Sequence, residues 1–229
     1  MFSEDYYGEI INRLKSFKFN FSIDWSDNLV ENYLLLRHDI DFSLLNAHKI
    51  ALLESSFGIK STYFFMLTSN MYNPLSKKNR TLIFDIKDMG HKISLHFDPT
   101  VYKNLKSFLT EKNVFETTFE TNIDVVSIHR PGPFLNNNDI DLYGTKHTYQ
   151  NRYFKKMKYI SDSGGRDILQ PLMNCITNKN HSNGLQLLLH PIWWTYNSNF
   201  ATETLNNWKE NQINFLTQEI RLNCKTYKD

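Results

Sequence analysis

Four segments of the chain place residues that can hold protons or metal ions directly after apolar runs. They are Leu36-Arg37-His38-Asp39-Ile40-Asp41, His91-Lys92-Ile93-Ser94-Leu95-His96-Phe97-Asp98, Ile128-His129-Arg130-Pro131 and Leu187-Leu188-Leu189-His190-Pro191. A buried strand that stops at Asp, His or Arg is how a parallel barrel builds a site at the C-terminal ends of its strands. Asp39 and Asp41 are one residue apart, so in extended backbone both carboxylates point to one side. Two carboxylates that close repel unless a cation or a shared proton separates them. One reading makes one of them a metal ligand and the other a general base; the other makes Asp41 a helix cap and puts Asp39 in a turn. His96, with Asp98 two residues on, adds imidazole and carboxylate, a donor set suited to zinc, manganese or cobalt. Water on such an ion has a pKa near ~7, which supplies a nucleophile without serine or cysteine.

His190, held by Pro191, has the near-neutral pKa of a general acid for a departing amine or alcohol; its alternative is a hydrogen bond to loop backbone. Arg130 either pairs with Asp39 and keeps it ionised or forms an ordinary strand-end salt bridge. Asp162, in Tyr159-Ile160-Ser161-Asp162-Ser163-Gly164-Gly165, either orients His190 or Arg130 or is a turn residue before two glycines. Trp193 and Trp194 are either core or a platform for a sugar ring.

The elements that must carry these residues alternate. Ile10, Ile11, Leu14 and Phe17 predict a helix over 4–19, and 33–36 reads as a buried strand. Ser43 caps a helix with Leu44, Ala47, Ile50 and Ala51 on its apolar face, stopped by Gly58. Strands are expected at 62–67, 92–95, 125–128, 158–161, around 168–169 and at 185–189. Helices are expected at 77–89, 101–120 and 201–223. Residues 131–152, with Asn136-Asn137-Asn138, Asp139 and Asp141, lack periodicity and read as a long loop over the barrel mouth. Strand and helix alternating with short loops imply an α/β fold with parallel strands. A barrel is favoured over an open doubly wound sheet, because no glycine-rich phosphate loop follows the first strand and polar residues end four strands or more. The 229 residues read as one domain, 1–229, without a linker or repeat.

Composition narrows the function. Net charge is +2, and 26 basic residues are scattered among 24 acidic ones, so nucleic acid is not an expected partner. No apolar run reaches the ~18 residues of a membrane span, and the N-terminus does not read as a secretory leader; a cytoplasmic protein is expected. Cys175 and Cys224 stand alone, which suits packing residues in a reducing compartment and not a disulfide framework.

The order of the four segments resembles the polysaccharide deacetylase family, also called the NodB homology domain or carbohydrate esterase family 4, over about residues 33–192. His38-Asp39-Ile40-Asp41 looks like the family's first motif, which makes Asp39 the base and Asp41 a metal ligand. His96 corresponds to the first histidine of the second motif, whose second histidine falls on Thr100 in this chain. Asp98, His91, His129 or water would then complete the metal set, and Asp98 is taken as the third ligand beside Asp41 and His96. Arg130-Pro131 matches the third motif, Asp162 lies near the fourth, and Leu188 and His190 match the fifth. The resemblance implies a distorted (β/α)7 barrel, a divalent metal with zinc foremost, and hydrolysis of an N- or O-acetyl group from a sugar. It further implies Asp39, His190, Arg130 and Asp162 as the catalytic group and Leu188, Pro131 and Trp193 against the substrate. Without a leader the expected substrate is a cytoplasmic intermediate of surface glycan assembly. A barrel that binds glycan without hydrolysing it and a hydrolase of non-sugar C–N bonds are the competing readings, and the oligomeric state is left open.

Overall fold

In a computed structural model, residues 2–26, 32–132, 139–140, 142–178 and 183–228 are described. The chain runs α1 (Glu4–Ser16), β1 (Asn20–Ser22), β2 (Tyr33–Ile40), α2 (Leu44–Ser56), β3 (Thr62–Phe65), α3 (Lys77–Asp88), β4 (Lys92–Phe97), α4 (Ser107–Phe119), β5 (Val125–Ile128), β6 (Lys146–His147), β7 (Lys158–Ser161), α5 (Leu169–Thr177), β8 (Leu185–Leu189), α6 (Pro191–Trp194) and α7 (Ala201–Asn223). Seven strands pair in the order β6-β5-β4-β3-β2-β8-β7, all parallel, and β1 adds to β2. Among the described residues β6 and β7 do not pair, so the sheet curls as a barrel without closing. This is the distorted (β/α)7 arrangement that the resemblance implies, and the parallel barrel that the alternation favours.

Local signals set the element ends. Ser3, Ser43 and Ser76 each accept a hydrogen bond from the backbone N–H three residues on, which satisfies one free donor of the first turn of α1, α2 and α3. β2 is buried along its whole length because helices cover one face and the barrel interior fills the other. Trp25, Tyr33, Leu35, Phe64, Val125, Tyr153 and Met157 form one buried cluster, with the Trp25 indole donating to Thr62 Oγ1 at 3.0 Å. Two larger clusters lie under the helices. At Gly184 a side chain is excluded on two counts: φ is +91°, and a Cβ would stand 2.7 Å from the Tyr33 carbonyl oxygen.

Four expectations change. The apolar pair at 168–169 opens α5, whose buried face is Leu172, Cys175 and Ile176; so short an apolar run carries no period to tell strand from helix. The helix expected from 101 begins at Ser107, after a 3-10 turn at Pro99–Val101 capped by Asp98. Cys224 is exposed and not a packing residue, whereas Cys175 is buried. The loop expected over the mouth falls partly on 133–138 and 141, outside the described residues, and its described part contains β6.

Candidate active site at the barrel rim

Parallel strands bring all their C-terminal ends to one rim. Asp41 follows β2, His96 is the penultimate residue of β4, and His129, Asp162 and His190 directly follow β5, β7 and β8. Alternation along β2 sorts its polar residues: Arg37 and Asp39 meet Ser127 and Thr148, while His38 points the other way, to Glu54 of α2.

Asp41, His96 and His129 form a compact group, with one possible ligand atom from each within 4.8 Å of the others. Asp41 Oδ1 lies 3.2 Å from His96 Nε2, and the rings of His96 and His129 meet edge to face at 5.2 Å. His129 Nδ1 bonds Asp98 Oδ2 at 2.7 Å, so its Nε2 is left for the group. Asp98 lies outside the group of three. Its other oxygen accepts from Thr100 Oγ1 at 2.6 Å and Thr100 N at 2.9 Å, so both oxygens are engaged and the carboxylate supports His129. A ligating histidine braced through its other nitrogen by a carboxylate is the common second layer of metal sites. His91, weighed as a ligand, precedes β4 at the opposite end of the barrel; its Nδ1 accepts from Ser61 N and its Nε2 donates to Ala51 O.

Burial alone would raise the Asp41 carboxyl, but the adjoining His96, with His190 and His129, brings it down to about 2. For His96, burial works against the charged form, yet Asp39 and Asp41 raise it overall. The ring also lies 3.9 Å from Asp39 Oδ2. Two nitrogens and a carboxylate oxygen are a fitting donor set for a divalent ion. Asp41 Oδ1 is in addition buried, and the atom that faces it, His96 Nε2, is itself a candidate ligand, so a cation between them would use both.

Asp39 is 3% exposed and accepts from Ser127 Oγ at 2.8 Å. The cation beside it is Arg37, with Nη1 3.7 Å from Oδ1. Arg130 is exposed, has φ +50° and makes no ion pair with Asp39. Arg130 lies two residues past the last residue of β5, where the chain has left the barrel, whereas Arg37, two positions before the aspartate, shares its interior face.

Across the group, His190 Nε2 stands 3.8 Å from Asp41 Oδ2. Its Nδ1 donates to Asp162 Oδ1 at 2.6 Å, its backbone N–H donates to the same carboxylate at 2.9 Å, and Trp194 Nε1 gives a third donor at 2.8 Å. Burial disfavours the imidazolium, but the Asp162 charge and hydrogen bond, followed by Asp41 and Asp39, raise His190 to about 9. Leu188 is buried on β8 in register with Arg37, and Pro131 is half-buried at the rim. Trp193 is 5% exposed and packs on Phe42, so its faces are not open to a sugar ring.

Sequence reading misses Arg37, Ser127 and Thr148, although the two-residue alternation from Asp39 back to Arg37 was a usable signal. Ser127 and Thr148 had none, because small hydroxyl residues in strands are common. Trp194, core or platform by sequence, is buried and anchors Asp162 through its indole.

A scan against family models and a search of curated proteins return no match. Solved structures do match. A CE4 family pseudoenzyme from Bacillus anthracis is 11% identical over 81% of this chain and 63% of its own, with a TM-score of 0.44. A chitin deacetylase from the fungal pathogen Colletotrichum lindemuthianum is 12% identical over 77% and 81%, at 0.46. The catalytic domain of a peptidoglycan N-acetylglucosamine deacetylase from Eubacterium rectale is 12% identical over 85% and 89%, at 0.46. The chain therefore spans less than two thirds of the pseudoenzyme's length, and what these structures share with it is a likeness of fold.

Proposed function

We propose that the rim is a metal-dependent hydrolytic site that removes an N- or O-acetyl group from a sugar, in the manner of carbohydrate esterase family 4. The observation that carries this reading is the flanking of one donor group, Asp41, His96 and His129, by a buried carboxylate, Asp39, and by an imidazole held by a carboxylate, His190 with Asp162. Asp41, His96 and His129 would hold a divalent ion, zinc foremost. When bound, such an ion supplies Lewis acidity toward the acetyl carbonyl and lowers the pKa of water. Asp39 takes the proton of the attacking water, and the Ser127 hydroxyl, which donates to its Oδ2, holds the carboxylate in place. His190, whose Nδ1 is held by Asp162, gives the proton at Nε2 to the departing nitrogen or oxygen. Leu188 and Pro131 bound the acyl side, and the sugar is an intermediate of surface glycan assembly met in the cytoplasm.

Glycan binding without turnover is the second reading, favoured by Thr100 in the place where the resemblance expects a histidine. Acetate release from N-acetylated chito-oligosaccharides and O-acetylated xylo-oligosaccharides, with chelator-treated protein and added zinc, separates the two. The hydrolytic reading expects release that needs the metal and is lost in Asp39→Asn and His190→Ala. Saturable sugar binding with no release would establish the other.

A further inference from the structure

The barrel interior holds a buried cation that the hydrolytic scheme above does not use. Arg37 is 0% exposed, and its Nη1 donates to Ser127 Oγ at 2.7 Å and to Thr148 Oγ1. The guanidinium carbon lies 4.9 Å from the centre of the Tyr149 ring, which covers it. A guanidinium buried this fully needs an anion, and Asp39 supplies it at 3.7 Å. Ser127 has a single hydroxyl proton. Since its oxygen accepts from Arg37, that proton goes to Asp39 Oδ2 at 2.8 Å. The result is a chain of charge-assisted hydrogen bonds from Arg37 through Ser127 to Asp39, beside a direct ion pair to the other carboxylate oxygen.

We propose that Arg37, acting through Ser127, is the positioning residue that fixes the Asp39 carboxylate against His96, and that Arg130 has no part in this. The proposal rests on the hydrolytic reading of the rim, but the pairing itself is tested without turnover. Both ends of the chain sit on rigid strands, β2 and β5, in a sealed interior, so the carboxylate has one orientation. A guanidinium at the strand end would be hydrated and mobile. Ser127, Thr148 and Asp39 all meet Arg37 at one atom, Nη1, so lysine could keep the charge there but not the flat guanidinium that Tyr149 covers.

The test pairs a melting cycle with kinetics. Asp39→Asn is measured in the unaltered protein and in the Arg37→Met, Ser127→Ala and Arg130→Ala backgrounds. The expected melting-temperature shift is changed in the first two backgrounds and unchanged in the third. Ser127→Ala keeps the buried charges and serves if Arg37→Met does not fold. With 4-nitrophenyl acetate and zinc, Ser127→Ala is expected to lower kcat by ~10- to 100-fold, the usual cost of losing an orienting partner. KM should change by less than about threefold, the mark of an interaction made in the transition state. Arg37→Lys should recover part of the rate lost in Arg37→Met, and Arg130→Ala should match the unaltered protein. Equal Asp39→Asn shifts in all backgrounds, or a larger kcat loss for Arg130→Ala than for Ser127→Ala, would overturn the proposal. If the unaltered protein releases no nitrophenol, the hydrolytic reading fails while the melting cycle still decides the pairing.

Discussion

β2 separates two buried polar clusters of similar make-up and opposite finish. Between the strand and α2, Glu54 accepts from His38 Nε2 at 2.9 Å, Ser61 Oγ at 2.6 Å, Tyr63 OH at 2.8 Å and Tyr7 OH, with His91 Nδ1 3.7 Å away. Both carboxylate oxygens are satisfied and none of these side chains meets water. On the rim side, Asp39 Oδ1, Asp41 Oδ1 and His96 Nδ1 are buried with no hydrogen-bond partner among the described residues. A closed network rigidifies a core, whereas unpartnered buried polar atoms cost stability and are kept where chemistry or a ligand uses them. The same residue types thus hold the fold together on one face and stand poised at the rim.

Removing Glu54 should have the largest effect. Glu54→Ala leaves four donors without their acceptor, and its expected cost is about 3–5 kcal/mol in urea unfolding, with or without metal. A cost below ~1 kcal/mol would erase the contrast between the clusters. The same carboxylate gives an acid limb. Burial pushes its pKa up, but His38, His91 and Ser61 bring it down to about 2. Its contribution is therefore full above the unfolded value of ~4.3 and is lost as pH falls toward 2. The unfolding midpoint should drop as pH falls from about 4.3 toward 2, and the drop should be smaller in Glu54→Gln, with Asp41 and Asp98 supplying what is left.

At the rim the effects fall on binding. Asp98→Asn removes the brace of His129 and should weaken zinc binding by ~10- to 100-fold, read by competition with a chromophoric chelator. Asp41→Ala should abolish zinc binding and cost less in metal-free unfolding than Glu54→Ala, because it breaks two ion pairs, to His96 and His190, and not a fully hydrogen-bonded carboxylate. His190 sharpens the comparison with an alkaline limb of opposite sign. Its folded pKa of about 9 exceeds the unfolded ~6.5, so its contribution in metal-free protein is full below about 6.5 and is lost as pH rises toward 9. Asp162→Asn should flatten that loss between pH 6.5 and 9.5; an unchanged slope would place the titration elsewhere. The smallest effect is expected of Arg130→Ala, whose exposed side chain should change stability by less than ~0.5 kcal/mol.

The fold was legible because apolar runs, serine caps and stop glycines recur in a strand-helix alternation, and α7 falls on 201–223 as its spacing predicts. β1, three residues long, and the helical start at Leu169 were not legible, since so few residues carry no period. At the site, strand-end position brought Asp39, Asp41, His96, His190 and Asp162 into view. The third member of the donor group depends on which neighbouring strand reaches across: β5 pairs with β4 with Ser127 opposite His96, and that register brings the ring of His129, two residues past Ser127, against His96. Asp98 is as close in sequence, but its backbone turns into the 3-10 segment and its oxygens go to Thr100 and His129. Arg37 was hidden because a buried arginine is rare enough that strand-end Arg130 drew the assignment.

The central claim is that Asp41, His96 and His129 together hold a divalent ion. Calorimetric titration of zinc into chelator-treated protein, beside His129→Ala and Asp98→Ala, tests it most directly. The account predicts one equivalent bound by the unaltered protein, none by His129→Ala, and weakened binding by Asp98→Ala. No binding by the unaltered protein, or binding abolished by Asp98→Ala and kept by His129→Ala, would contradict it.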